Sequence, residues 1–573
     1  MTIHNVEIAE KFTRLANLLE IEGANPFRVR AYRNAARVIS GITKNVSDLL
    51  AQGMDLTELP GIGDDLAEKI KTIVNTGELP ILQQIEARTP AVLNELMKIE
   101  GLGPKRVQKL YKKLKIHNLK DLEQALAKGK VRKLAGFGEK TEKNIQSSMQ
   151  HIREYSQRIK LADAFSIANR LVHYLKLLPE AKQVECAGSF RRRRETVGDL
   201  DILISANNNE KVINHFLHYN EIATINSQGS TRSAVRLHSG IQVDLRVVPE
   251  ESYGAALIYF TGSKDHNIAI RKIGIKKKFK INEYGMFKGK KQIAGKSEEE
   301  MYHKIGLAYI EPEMREDRGE IELAKKNQLP KLITLADIRG DLHCHTNLTD
   351  GTASLETMAA AAELLGYEYI AITDHTQHLA MVHGVNKKSL LAQIKAIDKL
   401  NAQLKKLIVL KSCEVDILED GSLDLPDEVL KELDLTVCSI HSKFNLSAKK
   451  QTERVIRAMD NPYFTILGHP SGRLINERKA YQINFEKIIH AAQERHCFLE
   501  LNAQPDRLDL DDAHCQLAKE LGVKLAISTD AHSPEGFAFM QFGIYQARRG
   551  WLTAEDVINT RSLAELRKLI KRK

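Results

Sequence analysis

The sequence predicts a multidomain protein, with helices first, a mixed α+β region in the middle and a parallel α/β barrel at the end. Three observations predict this order. The chain has 573 residues, too many for one hydrophobic core. Its first 150 residues repeat a short pattern, in which an apolar residue is followed by G-x-G and then an amphipathic run. From about residue 335, short apolar β-like runs alternate with helical stretches, as strands and helices wound in parallel would require. A hydrophobic fraction of 43% with 28% charged residues suits a folded globular protein. No apolar run approaches the ~18 residues of a membrane span, so no membrane partner is expected. The N-terminus, MTIHNVEIAEKFTRLANLLE, lacks the basic-then-apolar order of an export signal. Six scattered cysteines make no disulfide framework, and the expected compartment is the reducing cytoplasm.

Net charge is +11 and unevenly placed: residues 1–335 hold 55 basic and 41 acidic side chains, residues 336–573 hold 30 and 33. The densest stretch is 101–150, with 13 basic and 4 acidic residues. A basic front half predicts attraction to a polyanion, although a solvated lysine-rich helix face accounts for the charge alone equally well.

Taken in order, the first elements are the repeats LPGIGDDLAEKI (59–70), IEGLGPKRVQKL (99–110) and LAGFGEKTEKNI (134–145). The glycine pairs Gly61/Gly63, Gly101/Gly103 and Gly136/Gly138 permit tight turns. The N–H groups opening each following helix can bind a phosphate, with Lys105 and Lys140 close by in two of the repeats. Each string resembles a helix-hairpin-helix motif, a clamp on the DNA backbone. Three copies in a basic region favour DNA contact over a purely structural hairpin. Next come the β-rich runs VECAGSF, DLDILIS and IQVDLRVV within 184–248, which predict a mixed sheet. Short helices and polar turns follow over 251–310, then a charged, proline-flanked segment (311–332) that reads as a linker. The final runs, YEYIAIT, LIVLKSC, LDLTVCSI, FTILG, CFLELN and KLAIST, predict barrel strands whose C-terminal ends carry the site residues.

Two constellations carry chemistry. Asp199 and Asp201 lie two apart in DLDILI, so both point to one face of a strand. In QVDLRVV, Val243, Leu245 and Val247 face the core, which leaves Asp244 on the other face beside Arg246. Three converging carboxylates repel one another unless divalent cations lie between them, and two such cations can assist an in-line phosphoryl displacement. On spacing alone, a solvated strand face is the rival reading. The second constellation is His343, His345, Asp350, His375, Glu414, His441, His469, Asp530 and His532, each just past a β-like run. Imidazole with carboxylate suits zinc, manganese or iron rather than calcium, and nine ligands suggest two or three ions. Scattered, satisfied histidines are the rival here.

The strings around the first constellation add a resemblance. GSFRRRRETVGDLD (188–201), VDLR and YFTGSKDHNIAIR (259–271) resemble the nucleotidyltransferase core of the family X DNA polymerases, the group that contains DNA polymerase beta. NPFRVRAYRNAARVI (25–39) and LPGIGDDLAEKI resemble that family's small DNA-end-binding domain. The resemblance implies that Asp199, Asp201 and Asp244 are catalytic and bind Mg²⁺ or Mn²⁺. It places Ser189 and Arg192 on the β/γ-phosphates, with Gly198 allowing close approach. Tyr259, Phe260 and Gly262 would line the sugar pocket, Asn267 would touch the base in the minor groove, and Arg271 would meet the template side. Lys264 stands where animal relatives carry an acid, which leaves nucleotide selectivity open. Lys69 matches the family's Schiff-base lysine, but Asp65 replaces a lysine common in lyase-active relatives. Lyase chemistry and plain 5′-phosphate binding both stay open.

The order H-x-H, D, H, E, H, H, D-x-H resembles the PHP (polymerase and histidinol phosphatase) domain over 336–573. That resemblance implies a distorted (β/α)7 barrel hydrolysing phosphoesters with two or three Mn²⁺ or Zn²⁺ ions. Asp350 lies in TDG where the family commonly has SDG, a change outside the ligand. Arg473 is open between a substrate-phosphate contact and a surface role. Alternation turns Cys344 away from the ligands, as a packed thiol. The expected divisions are a helical DNA-end-binding domain (1–85), a second hairpin subdomain (86–150), a nucleotidyltransferase palm (151–250), a thumb (251–315), a linker (316–335) and the PHP domain (336–573).

The expectation is therefore a monomeric polymerase that uses deoxynucleoside triphosphates to fill gapped duplex DNA with a 5′-phosphate, in base excision repair. Its PHP domain is expected to trim 3′ ends, and also to cleave abasic or blocked ends. Two rivals remain: a PHP half that is structural or hydrolyses a small phosphomonoester, and a non-catalytic DNA-end scaffold. The intact ligand sets at both sites count against the scaffold.

Overall fold

The computed structural model describes residues 5–571, apart from 41–45, 52, 60, 87–95, 97, 98, 100, 101, 117, 118, 140, 147–157 and 379–383. The chain divides into two compact units, Met1–Ser156 and Gln157–Lys573.

In the first unit, the helices Asn5–Glu22, Pro26–Ser40 and Asp64–Thr76 enclose Ile8, Phe12, Leu15, Tyr32, Ile39 and Ile70. The three repeats share one physical design. The residue between the paired glycines is apolar and buried: Ile62 (3% exposed), Leu102 (1%) and Phe137 (2%). Gly61 (φ 81) and Gly136 (φ 90) take the left-handed backbone that turns the chain. Gly63 and Gly103 are the N-caps of Asp64–Thr76 and Pro104–Leu114. A burying residue between two turning residues is why the pattern is legible as a repeat.

The second unit begins with a short antiparallel pair, β1 (Ile159–Lys160) and β3 (Thr196–Val197). Its first sheet has the order β2 (Ala181–Cys186), β4 (Asp199–Ala206), β7 (Gln242–Val248), β6 (Arg232–Leu237), β5 (Ile222–Gln228). Only β4 and β7 run parallel within it, with Asp201 opposite Asp244. Alternation along β4 and β7 sends Leu200, Ile202, Val243 and Leu245 into the core and the acids to the other face. The helices Tyr253–Thr261 and Lys264–Lys276 follow, then a meander of β8 (Lys280–Asn282), β9 (Gly285–Lys288) and β10 (Lys291–Ala294).

The segment expected as a linker is packed structure. It contains a helix, Glu320–Lys325, whose Ile321 and Ala324 are buried. Arg315 and Glu320 are fully buried, paired with Glu298 at 2.6 Å and with His266 at 2.6 Å. A charge-rich, proline-flanked composition reads as solvated, but here Arg315 meets the opposite charge of Glu298 and Glu320 the imidazole of His266, each contributed by another element.

The remaining strands are β11 (Gly340–Cys344), β12 (Tyr369–Ile372), β13 (Ile408–Lys411), β14 (Glu414–Asp416), β15 (Val437–Ser439), β16 (Ile466–Leu467), β17 (Phe498–Asn502) and β18 (Leu525–Ser528), all parallel. β13 and β14 are halves of one stave broken at Ser412 and Cys413, so the eight segments make seven staves. A bridge between Cys344 and Ala531 joins the first stave to the end of the last. This is a distorted (β/α)7 barrel. No helix among the described residues is long and apolar enough to cross a membrane. All six cysteines are buried and none is in a disulfide, and Cys344 Sγ donates to the Ala371 carbonyl at 3.1 Å.

Candidate active sites

On the first sheet, the parallel register places Asp199, Asp201 and Asp244 at one end of adjacent strands. Burial and the neighbouring Asp199 and Asp244 push the Asp201 carboxyl up to about 7. Asp199 is also raised, by burial and by Asp244. Acids that crowd one another at neutral pH create a demand for positive charge, and this donor set fits hard divalent cations. Gly188 (φ 63) closes the site from one side, since a β-carbon there would lie 2.3 Å from Asp201 Oδ2. Gly198 similarly admits Arg158, whose Nη1 would sit 3.0 Å from a β-carbon. Arg158 donates to Thr196 and draws Asp199 toward its charged form.

The other predicted polymerase residues gather around this cluster. Ser189 and Arg192 lie on and just after the helical turn Gly188–Arg191. Arg192 pairs with Glu316 at 3.2 Å, and its Nη1 donates to the Thr261 carbonyl. Gly262 (φ 69) leaves room for that guanidinium, because a β-carbon there would lie 3.0 Å from Arg192 Nη1. Tyr259 and Phe260 meet edge to face at 5.0 Å. Arg271 lies over the Tyr259 ring at 5.3 Å, and Asn267 Nδ2 donates to the Tyr259 carbonyl at 2.8 Å.

In the barrel, all nine predicted ligands converge. Glu414 is central: its Oε1 lies 2.9 Å from His469 Nε2 and 3.2 Å from His441 Nε2, and its Oε2 lies 2.9 Å from His375 and 3.3 Å from His343. Asp530 approaches His345 Nε2 at 3.1 Å, and Asp350 approaches His375 at 3.3 Å and His532 at 3.2 Å. Three overlapping groups have metal-ligand spacing: His345/Asp350/His375/His532, His343/His345/Asp530 and His375/Glu414/His441. His345 Nδ1 and His469 Nδ1 are buried without a hydrogen-bond partner among the described residues. Such orphaned nitrogens, together with a mixed N/O donor set, fit transition-metal or zinc ions. Burial disfavours ionisation of Glu414, but His375, His441 and His343 hold its carboxyl well below its usual value. His469 (φ 25) and Asp530 (φ 52) take strained left-handed backbones at the ligand positions.

Two residues escape sequence reasoning. Glu500 Oε1 lies 2.7 Å from His343 Nδ1, and Asp416 Oδ1 lies 2.9 Å from His441 Nδ1. Both fix the orientation of an imidazole and raise its basicity. Alternation in CEVDI could have found Asp416, two residues from Glu414 on the same strand face, whereas nothing in CFLELN marks Glu500. Arg473 is not a surface residue: it is mostly buried, bonded to Glu195 at 2.7 Å and to the carbonyls of Arg507 and Leu508.

In the first unit, Gly63, Gly103 and Gly138 are exposed, with no atom within 4 Å of where a β-carbon would lie. Their backbones are open to a ligand as close as a phosphate. Gly61 instead faces Asn34. Gly101 and Lys140, and the side chain of Lys105, lie outside the described residues. Lys69 is mostly buried and paired with Asp65 on the same helix.

Family models match the chain in five places: a helix-hairpin-helix domain (3–79), a SAM-like helix-hairpin-helix tandem (93–150), the DNA polymerase beta palm (158–245), the DNA polymerase beta thumb (256–316) and a PHP domain (341–504). A Bacillus subtilis protein named DNA polymerase/3′-5′ exonuclease PolX is 37% identical over 574 residues, covering the whole of both chains. A probable phosphatase of a Thermoanaerobacter species is 29% identical over 41% of this chain and 94% of its own length. A probable phosphatase of Caldanaerobacter subterraneus is 31% identical over 34% of this chain and 75% of its own. With a full-length relative at that identity, and palm, thumb and PHP models in the order the two acid clusters require, the chain belongs to the family X DNA polymerases that carry a C-terminal PHP domain.

Proposed function

We propose that this enzyme is a DNA-directed DNA polymerase and 3′–5′ exonuclease that fills short gaps in duplex DNA during base excision repair. The observation that carries the reading is the presence, in one chain, of two complete acid clusters of different composition. Mg²⁺ or Mn²⁺ bound by Asp199, Asp201 and Asp244 would supply the Lewis acidity of phosphoryl transfer. Around it, Ser189 and Arg192 hold the triphosphate, and Gly198 admits its close approach. Tyr259, Phe260 and Gly262 wall the sugar, while Asn267 and Arg271 face the base and the template. In the barrel, two or three Mn²⁺ or Zn²⁺ ions would supply the Lewis acidity of phosphoester hydrolysis. Glu414 spans the cluster, and Glu500 and Asp416 keep the ring nitrogens of His343 and His441 turned inward. The six thiols, none of them in a disulfide, suit the cytoplasm.

The substrate is gapped DNA with a 5′-phosphate, held at phosphates by the hairpin glycines Gly61, Gly63, Gly101, Gly103, Gly136 and Gly138, with Lys105 and Lys140, and the enzyme acts as a monomer. Lys69 binds the 5′-phosphate and forms no Schiff base, because Asp65 engages its ammonium group. Borohydride should then trap no Lys69-dependent adduct with a 5′-deoxyribose-phosphate end, and a trapped adduct would overturn this assignment.

The central test follows a 5′-labelled primer on a one-nucleotide-gapped duplex. The Asp199→Ala/Asp201→Ala double variant should lose extension yet still shorten the primer when nucleotides are left out. Loss of both activities in a folded variant would argue against two separate centres. The probable-phosphatase relatives favour a second reading, in which the barrel hydrolyses a small phosphomonoester. Release of phosphate from p-nitrophenyl phosphate, with no shortening of the primer, would select that reading. Cleavage at abasic or blocked 3′ ends is the finer activity to assay on the same duplex.

A further inference from the structure

Four consecutive arginines, Arg191 to Arg194, follow the helical turn that carries Ser189. As a basic run they suggest an exposed strip for an anion, but the fold sends most of them inward. Arg191 forks onto Glu298 at 2.8 and 2.7 Å. Arg192 pairs with Glu316 through Nε and donates to the Thr261 carbonyl through Nη1. Among the described residues Nη2 meets no acceptor, so it is the arm left for a phosphate. Arg193 takes a left-handed backbone (φ 54) and lays its guanidinium over the Tyr545 ring at 4.4 Å, with Phe190 at 5.3 Å and Phe165 at 5.7 Å. Only Arg194 is exposed.

The partners that shape this loop come from the barrel. Arg549, 2% exposed, donates to the Arg192 carbonyl at 2.8 Å. It also pairs with Asp512 at 2.5 Å and shares Glu316 with Arg192 at 3.1 Å. Tyr545, one turn earlier on the same helix (Met540–Arg549), stacks on Arg193. Arg473 holds Glu195 at 2.7 Å. Beneath these contacts, Ile475, Leu508 and Phe542 of the barrel share one apolar cluster with Leu161, Phe190 and Val197 of the palm. The loop thus runs from Ser189 and Arg192 to Gly198 and Asp199 between two sets of partners: Glu298, Glu316 and Thr261 on one side, and Arg549, Tyr545 and Arg473 of the PHP domain on the other.

We propose that the PHP domain is a structural wall of the polymerase's nucleotide site, in which Arg549 and Tyr545 are positioning residues that aim Arg192 at the triphosphate. This rests on the reading of Arg192 as a triphosphate contact. Without Arg549, the Arg192 carbonyl loses its donor and Glu316 loses the partner that competes with Arg192 for it. Arg192 is then held more tightly by Glu316 and less available to a phosphate. Misplacing a clamp residue by a fraction of an ångström weakens substrate binding before it changes the chemical step.

The test measures single-nucleotide insertion by the full chain on a one-nucleotide-gapped duplex. Arg549→Met and Tyr545→Leu should each raise KM for the nucleotide by about five- to tenfold with kcat changed by less than about twofold. Arg549→Lys should recover part of the loss, since an ammonium group reaches a carbonyl but not the forked geometry. Trimming of the same duplex without nucleotides, and the melting temperature, should stay close to wild type for Tyr545→Leu. That variant removes a stacking ring and no buried charge, so it keeps the test open if Arg549→Met does not fold. In an Arg192→Lys background, neither substitution should raise KM further. If Arg192→Lys raises KM while Tyr545→Leu and Arg549→Lys leave it unchanged, the inference is overturned and the triphosphate reading stands. If Arg192→Lys itself leaves KM unchanged, the triphosphate reading fails and takes the inference with it. Insertion, trimming and melting temperature falling together would also overturn it, by showing a general packing role.

Discussion

Asp199, Asp201 and Asp244 face one another with little support: among the described residues only Asp244 accepts a side-chain hydrogen bond, from Gln242 at 2.8 Å. The nine barrel ligands are the opposite case, with His343 and Glu414 almost wholly buried and Glu500 and Asp416 braced behind the histidines. The same oxygen donors therefore do different work. A trio of acids leaves coordination positions for a substrate's phosphates around a bound divalent cation. A mostly buried cluster of imidazoles and acids supplies more protein ligands to its ions and holds them more tightly, with His532 and Asp350 on its partly exposed side. On the proposed reading, the polymerase centre takes a larger share of its ligands from the substrate than the PHP centre does.

The sharpest way to break that comparison is to remove Glu414. Its two oxygens lie within reach of five histidines, so Glu414→Ala should empty the barrel of metal. Shortening of a labelled primer should fall on the order of 10³-fold or more, while extension stays within about twofold on the same duplex. Metal analysis of the purified variant should show the loss directly. If trimming survives in a variant that carries no metal, the barrel is not the exonuclease centre.

A smaller effect tests whether the bracing matters. Asp416→Asn and Glu500→Gln keep the shape but remove the charge facing His441 and His343. Each should cost about 10- to 100-fold in metal affinity or trimming rate. Extension should not change, because neither residue reaches the palm acids. An effect below about twofold on metal retention would mean that the ligands orient themselves and that the two centres differ less than their geometry suggests.

The two centres also differ in how legible they were. The convergence of the nine barrel residues could be read because each lies in or a few residues past a β-run, and a parallel barrel gathers the ends of its strands whatever the intervening helices do. The palm acids could be read because alternation along one strand fixes a face. Glu500 could not, because its partner His343 is 157 residues away and nothing local marks a carboxylate as an orienter. The partners of Arg473 and Arg193 were illegible for the same reason: Glu195 is 278 residues from Arg473, and Tyr545 lies even further from Arg193. The charged segment 311–332 reads as solvated only until Glu298 and His266 are known to meet Arg315 and Glu320. Local pattern fixes which face a residue takes, whereas the identity of a charged partner is a property of the tertiary fold.

The smallest expected effect, in pH dependence, sharpens the comparison furthest. Asp201 has a carboxyl pushed up to about 7 by burial and by its two acidic neighbours. A carboxylate binds its cation in the deprotonated form, so protons compete below that value and stop competing above it. The Mg²⁺ concentration that half-saturates extension should therefore be flat from about pH 8 upward and rise about tenfold by pH 6. In the barrel the competing protons sit on imidazoles. Burial opposes charge there, but Glu414 and neighbouring carboxylates hold His375 at about 10 and His441 at about 9. Reloading of metal-stripped protein with Mn²⁺ or Zn²⁺ should then keep improving through pH 8 and toward 9, where extension has already levelled off. Titrating both activities against metal on one preparation, at pH 6, 7, 8 and 9, would compare the two curves. Parallel curves would mean that the same kind of group controls both centres and would erase the distinction between an acid-only site and a histidine-rich one. Divergence above pH 7 would place the proton competition on carboxylates in the palm and on imidazoles in the barrel, as their neighbours dictate.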